Sequence, residues 1–180
     1  MRDHGPWKIL QRHDVYQSPW TQIFRDDVLR PDGRRGSHDV VFLREGVTAV
    51  AVDDRMQVHL TEEFHYAVGR VTIEGVSGGR DRNEPPLDCA QREMREELGI
   101  EAEDWLHLGP MDPITSVVAS VTHLYLARRL RFGDKTPEGT ELIRHVVLPL
   151  AEALALVMDG RITHAATCVA LLKTARILNV

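Results

Sequence analysis

The 180-residue sequence predicts an α+β chain, its strands layered with helices in an α/β/α sandwich and preceded by an antiparallel β extension. Three observations predict it. Segments rich in β-branched and aromatic residues recur from about residue 8 to residue 148, separated by turn residues. One helix-patterned segment, 85–99, interrupts them. Two more helical patterns, 150–159 and 164–178, close the chain.

In order, residues 8–17 and 20–30 have strand composition (Val15, Tyr16, Ile23, Phe24, Val28, Leu29), and Arg30-Pro31-Asp32-Gly33 is a tight turn whose proline pre-sets the first corner. His38–Leu43 is a third strand. Residues 1–45 form the β extension and 46–180 the main domain. Val47–Val52 is an apolar strand, Asp53-Asp54-Arg55 a turn, and Met56, Val58 and Leu60 alternate with Gln57 and His59. Val71–Val76 is a strand with Val71 and Ile73 on one face and Thr72 and Glu74 on the other. Trp105–Leu108 and Val117–Phe132 are further strands, with a bend or break around Asp112-Pro113, and Gly133–Thr140 is a polar loop. Ile143–Leu148 closes the sheet. Gly160 ends the first of the last two helices, and the second carries Cys168, Leu171, Leu172, Ala175 and Leu178 on one face.

Composition narrows the function. A net charge of −5 with scattered basic residues argues against nucleic-acid binding, which needs clustered Lys and Arg. The opening MRDHGPW lacks the apolar stretch of a signal peptide, and LAEALALVM is too short to span a membrane, so a cytoplasmic protein is expected. Cys89 and Cys168, both on helices with apolar neighbours, read as reduced core thiols.

The chemistry concentrates in residues 78–100, GGRDRNEPPLDCAQREMREELGI. Pro85 and Pro86 stand where a helix begins, since a first-turn proline loses no intrahelical hydrogen bond, and Gly99 where one ends in the left-handed cap. Leu87, Ala90, Met94 and Leu98 make a core stripe. Glu93, Glu96 and Glu97 share another face, turned roughly 120° away. Three clustered carboxylates repel one another until a hard divalent cation converts the repulsion into binding. A solvated acidic face is the plainer reading of such a run; the extended spacing of Gly78, Glu84, Arg92, Glu93, Glu96, Glu97 and Gly99 argues against it.

That spacing, G-x5-E-x7-R-E-U-x-E-E-x-G-U with U aliphatic, resembles the Nudix box at every fixed position. The resemblance implies the Nudix fold, a mixed β-sheet between helices. Outside the box, Glu74-Gly75-Val76-Ser77-Gly78 resembles the E-L-P-A-G of the ADP-ribose pyrophosphatase group. Tyr16–Trp20 and Pro31-Asp32-Gly33 resemble that group's N-terminal strands, which are exchanged across a homodimer and help hold the adenine; packing within its own domain is the other use for this region. The C-terminal third, including Glu141–Arg144, Gly160-Arg161-Ile162 and Ala165-Ala166-Thr167, is similar as well.

By this resemblance Glu93 and Glu97 are magnesium or manganese ligands, Glu96 completes the acidic patch directly or through water, and the carbonyl of Ser77 is a backbone ligand. Arg92 and Glu84 pair to brace the loop, and Gly78 and Gly99 serve the backbone. The general base is Glu138 or Glu141, with Glu138 preferred. Trp20 and Tyr16 are candidates to stack on a nucleobase, and His65 and Glu74 are candidate substrate contacts. Two departures bear on substrate. Glu63-Phe64-His65 puts a titratable His65 where the group often has an arginine, and Thr115–Ser120 lacks the carboxylate of the group's P-G-x-S-x-E segment. The implied activity is magnesium-dependent hydrolysis of ADP-ribose or a related nucleoside diphosphate sugar, giving AMP and ribose 5-phosphate in the first case. The alternatives are another nucleotide sugar or dinucleotide, and a non-catalytic domain that senses a nucleotide sugar.

Overall fold

The computed structural model describes residues 1–135 and 142–180, which fall into two compact units. The first comprises Met1–Glu45 and Asp112–Val121, the second Gly46–Met111 and Thr122–Val180.

The first unit is a five-stranded sheet. Its strands are β1 (Arg2–His4), β2 (Trp7–Gln17), β3 (Thr21–Leu29), β4 (Arg35–Leu43) and β10 (Val118–Ala119), in the order β1-β2-β3-β4-β10. All its pairings are antiparallel except β4 with β10. The β2–β3 and β3–β4 pairings confirm the extended segments expected at residues 8–17, 20–30 and 38–43. One face buries Ile9, Phe24 and Val28. Asp26 shares that face because Arg12 grips it with two hydrogen bonds of 2.8 Å and lays its guanidinium 3.5 Å from the Phe24 ring centre. The pairing offsets the cost of taking a carboxylate out of water and holds Asp26 below its usual pKa.

The second unit holds a seven-stranded mixed sheet built from β5 (Gly46–Val52), β6 (Gln57–His65), β7 (Arg70–Glu74), β8 (Val76–Gly79), β9 (Ile100–Met111), β11 (Thr122–Phe132) and β12 (Arg144–Pro149). Helix α1 (Pro86–Leu98) covers one face; α2 (Leu150–Met158) and α3 (Ala165–Leu178) cover the other. The apolar run of β5 follows from burial on both sides: Val47, Ala49 and Ala51 pack with α1, while Val50 and Val52 pack with α2 and α3. β11 repeats the pattern, with Tyr125 and Ala127 toward α1 and Leu124 and Leu126 toward α3. The parallel pairing of β5 with β11 makes the sheet mixed.

The structure departs from the sequence expectations in several details: the strand expected over Val117–Phe132 is two, β10 and β11, in different sheets, and Leu172 of α3 is exposed. The strand expected over Val71–Val76 breaks at Gly75, because β7 pairs with β6 while β8 pairs with β5. Neither face is simply outward: Thr72 is buried and Ile73 packs against the core, while Val71 is 53% exposed. In β6 the supposed alternation fails, since Val58, His59, Leu60 and Thr61 are all buried. His59 tolerates this by placing Nδ1 2.9 Å from His145 Nε2.

Candidate active site

Helix α1 carries the site, and its limits have local causes. Pro86 occupies the first turn, and Gly99 caps the end at φ 64°, its N–H donating to the carbonyls of Arg95 and Met94. A side chain at Gly99 would also strike the Gly133 carbonyl, 2.5 Å from where a Cβ would stand. Ala90, Met94 and Leu98 are buried on the sheet side, and burial of each large side chain stabilises by about 1.5–3 kcal/mol. That packing fixes the helix's rotation, and with it the direction of the glutamates.

Arg92 organises the carboxylates. Its Nε and Nη2 donate to the two Glu84 oxygens at 2.9 and 3.1 Å, and Nη1 donates to Glu93 Oε1 at 2.8 Å and Glu96 Oε2 at 3.1 Å. The Arg92 bonds hold Glu84 ionised, its pKa lowered to about 2, while Arg92 itself is raised. Glu84 Oε2 also accepts from the Asp81 N–H, and the Glu84 carbonyl accepts from Arg80, so the loop closes on Glu84, which Arg92 ties to the helix. The bracing expected between Arg92 and Glu84 is present, and it reaches further, to Glu93 and Glu96. Cys89 lies beneath this network; burial pushes its thiol up to about 12, which leaves it protonated and inert.

The same helix meets β8 at Gly78. A Cβ there would stand 2.0 Å from Glu93 Oε1, so the carboxylate occupies the space that any side chain would need. Ser77 precedes it, its hydroxyl bonded to Thr48 Oγ1 and to the Gly75 carbonyl, each at 2.9 Å. Glu97 lies on the same helix one turn beyond Glu93 and is only 7% exposed. Among the described residues, no three His, Cys, Asp or Glu side chains stand ready-arranged around a single point for a metal ion. Arg92 Nη1, drawn between Glu93 and Glu96, supplies the countercharge instead. The donor set nevertheless fits a hard divalent cation, because it consists of carboxylate oxygens beside a glycine cradle that admits Glu93.

The other expected site residues are dispersed. Glu138 and Glu141 lie outside the described residues. His65 and Glu74 come together, Nε2 to Oε1 at 3.2 Å, and Glu74 Oε2 is 3.0 Å from His164 Nδ1. Thr72 Oγ1 donates to Glu74 Oε1 at 2.6 Å. Burial alone would raise the Glu74 pKa, but the bonds from His164 and Thr72 outweigh it and the carboxyl falls below its ordinary value. Glu74 is thus engaged on both oxygens by its own protein, a different situation from an open substrate contact. His164 and Thr167 stand at the start of α3 and Thr72 in β7; nothing in the spacing of the sequence signals that the first two meet Glu74 and Gly75, because those contacts join a strand and a distant helix.

In the first unit, Trp20 is 65% exposed, with the Arg44 guanidinium 4.7 Å from its ring centre. Both line a cleft of about 240 Å³ with Gln17, Gln22 and Phe42. Tyr16 is 55% exposed and does not line that cleft.

Comparison with known proteins follows this architecture. The model of the NUDIX domain matches residues 42–166, and that of the nucleoside diphosphate sugar hydrolase N-terminal domain matches residues 7–41. An ADP-ribose pyrophosphatase of Mycobacterium tuberculosis is 30% identical over 168 residues, covering 91% of this chain and 80% of the relative. A methanol dehydrogenase activator of Bacillus methanolicus is 24% identical, covering 91% of this chain and 89% of the relative. A CMP-5'-(N-acetyl-N-hydroxy-3-aminopropyl)phosphonate hydrolase of Streptomyces rubellomurinus is 28% identical, covering 88% and 77%. The crystal structure of an ADP compounds hydrolase superposes with a TM-score of 0.88 at 23% identity over 99% of this chain and 97% of that one, which establishes the fold. With the box bound together by Arg92 and the domain matched from residue 42 to 166, this chain belongs to the Nudix hydrolase family.

Proposed function

We propose that the chain is a magnesium-dependent hydrolase of the diphosphate bond in ADP-ribose or a related nucleoside diphosphate sugar. The observation that carries the reading is the carboxylate face of α1, with Glu93 laid across Gly78 and Arg92 tying Glu84, Glu93 and Glu96 together. The name of the Mycobacterium tuberculosis relative supports the substrate class. Nudix hydrolases generally use divalent metals.

Glu93 and Glu97 would hold the cation, with Glu96 completing the patch directly or through water and the Ser77 carbonyl as a backbone ligand. The bound cation would shield the diphosphate charge and lower the pKa of a water molecule. Arg92 draws Glu93 and Glu96 toward one another through Nη1 and so sets the spacing of the patch. Glu138 or Glu141 takes the proton from the attacking water. Trp20, beneath Arg44, stacks on the nucleobase.

A second copy of the chain completes the assembly in this reading. A cleft of about 780 Å³ in the first unit, lined by Trp7, Ile9, Phe24 and Val28 together with the paired Arg12 and Asp26, supports this as a place for a partner's chain to enter. Strand exchange in a homodimer is the arrangement we propose.

A second substrate reading has its own support. His65, paired with Glu74, supplies no permanent positive charge, and the Streptomyces rubellomurinus relative is named for a nucleotide phosphonate. Other nucleotide-linked compounds therefore stand beside ADP-ribose. The deciding experiment incubates a panel of nucleoside diphosphate sugars and dinucleotides with magnesium and separates the products by chromatography. AMP and ribose 5-phosphate from ADP-ribose support the first reading, and preferential cleavage of another compound supports the second. Tight binding without cleavage of any of them would make the protein a sensor.

A further inference from the structure

We infer that Thr167 and Glu74 form a latch, anchored on the first turn of α3, that positions the Gly75–Gly78 segment and thereby the metal platform. The inference rests on the metal-dependent reading above.

The latch arises from a topological need. Between Glu74 and Val76 the chain leaves its pairing with β6 and begins pairing with β5. Backbone groups at such a switch lose their ladder partners and need others, because an unpaired buried amide or carbonyl is costly. Hydroxyl groups supply them here. The Gly75 N–H donates to Thr167 Oγ1 at 2.8 Å, Thr61 Oγ1 donates to the Glu74 carbonyl at 3.2 Å, and Ser77 Oγ donates to the Gly75 carbonyl at 2.9 Å. Gly75 presses so closely on β5 that a Cβ would lie 2.8 Å from the Ala49 carbonyl.

Thr167 is fully buried and is itself held: His164 Nδ1 lies 2.9 Å from its hydroxyl and 3.0 Å from Glu74 Oε2. Thr72 and His65 occupy the other Glu74 oxygen. Glu74 and Gly75 are therefore fixed from α3 on one side and from β6 on the other. Three residues after Gly75 comes Gly78, the surface on which Glu93 rests. A shift of the Gly75 peptide moves Ser77 and Gly78 against Glu93, so Thr167 and Glu74 act as positioning residues that touch neither metal nor substrate.

The test measures Mn²⁺ binding without substrate, following free Mn²⁺ by electron paramagnetic resonance, together with thermal melting and steady-state kinetics. The proteins are the wild type, Thr167→Val, Thr167→Ser and Glu74→Gln. Thr167→Val keeps the volume and removes the hydroxyl, while Thr167→Ser restores it. We expect Thr167→Val and Glu74→Gln to bind Mn²⁺ roughly tenfold more weakly, as supporting contacts behind metal ligands typically do. Thr167→Ser should stay near the wild type, and kcat should fall more than KM rises. Equal Mn²⁺ affinity in wild type and Thr167→Val would overturn the latch, as would Thr167→Ser losing as much as Thr167→Val. If Thr167→Val does not fold, Glu74→Gln decides alone: wild-type affinity in that variant overturns the proposal. Absence of saturable Mn²⁺ binding by the wild type would instead bring down the platform reading on which the latch depends.

Discussion

Glu93 lies across Gly78 so closely that a methyl group on Gly78 would stand 2.0 Å from its Oε1 and 2.1 Å from its Cδ. The glycine that opens the box and the glutamate fifteen positions on are thus one steric unit. The alternative to glycine is displacement of a carboxylate that Arg92 also holds.

Gly78→Ala should therefore displace Glu93 without unfolding the domain, because the core beneath α1 rests on Ala90, Met94 and Leu98 instead. A displacement of about an ångström in a site of this kind costs on the order of a hundredfold in turnover. Steady-state kinetics beside a thermal melt will separate the two effects. Wild-type kcat in Gly78→Ala would show that Glu93 has room to spare.

Glu97→Gln removes a charge and keeps the shape. Turnover should fall on the order of a hundredfold, about 2.7 kcal/mol of barrier, while circular dichroism stays unchanged. Near-wild-type activity would remove Glu97 from the metal set.

Trp20→Ala should raise KM for ADP-ribose several-fold with kcat nearly retained, since a stacked base contributes binding that ground state and transition state share. The exposed ring beneath Arg44 is the reason to look there. An unchanged KM would leave Trp20 a surface anchor.

The pair of buried His59 and half-buried His145 gives the fold an acid limit. Burial lowers His145 to about 4, with repulsion from His59 and Lys135 adding to it, and burial also lowers His59 against the pull of Asp53. In the unfolded chain a histidine protonates near its ordinary value of about 6.5. The unfolded state therefore binds more protons in between: stability is full above pH 6.5 and is lost as pH falls from there to about 4. Urea denaturation at several pH values should show this slope in the wild type and a shallower one in His145→Gln. Identical slopes would place the acid sensitivity elsewhere.

Deleting residues 1–43 tests strand exchange by analytical ultracentrifugation. The deletion removes β4, the partner of β10, and the strands proposed to exchange, so a monomer or insoluble protein is expected. A soluble, fully active dimer would exclude exchange.

Much of this was legible in the sequence because it is local. Pro86 and Gly99 bound α1, and a 3.6-residue period puts Met94 inside and Glu93 on another face; both follow from backbone geometry within a few turns. Several strands, β5 above all, were likewise readable from their apolar runs, whereas β6 does not alternate and the expected strand at 71–76 is two. Mixed pairing was not readable, because the parallel register of β5 with β11 pairs residues as distant as Gly46 and Thr122.

What the sequence determined by itself is the helix that bears Glu93, Glu96 and Glu97, and the Gly78, Glu84 and Arg92 that serve it, since spacing along one helix and its approach loop sets all of them. Only the tertiary structure decided how that helix is seated. The switch at Gly75 is satisfied by a hydroxyl 92 residues away, and Glu74, which reads as an open acid on a strand, is clasped by His65 and His164. A hydrogen bond between distant segments leaves no period or spacing in the chain; it exists only once both cores have packed and brought the partners to the same place.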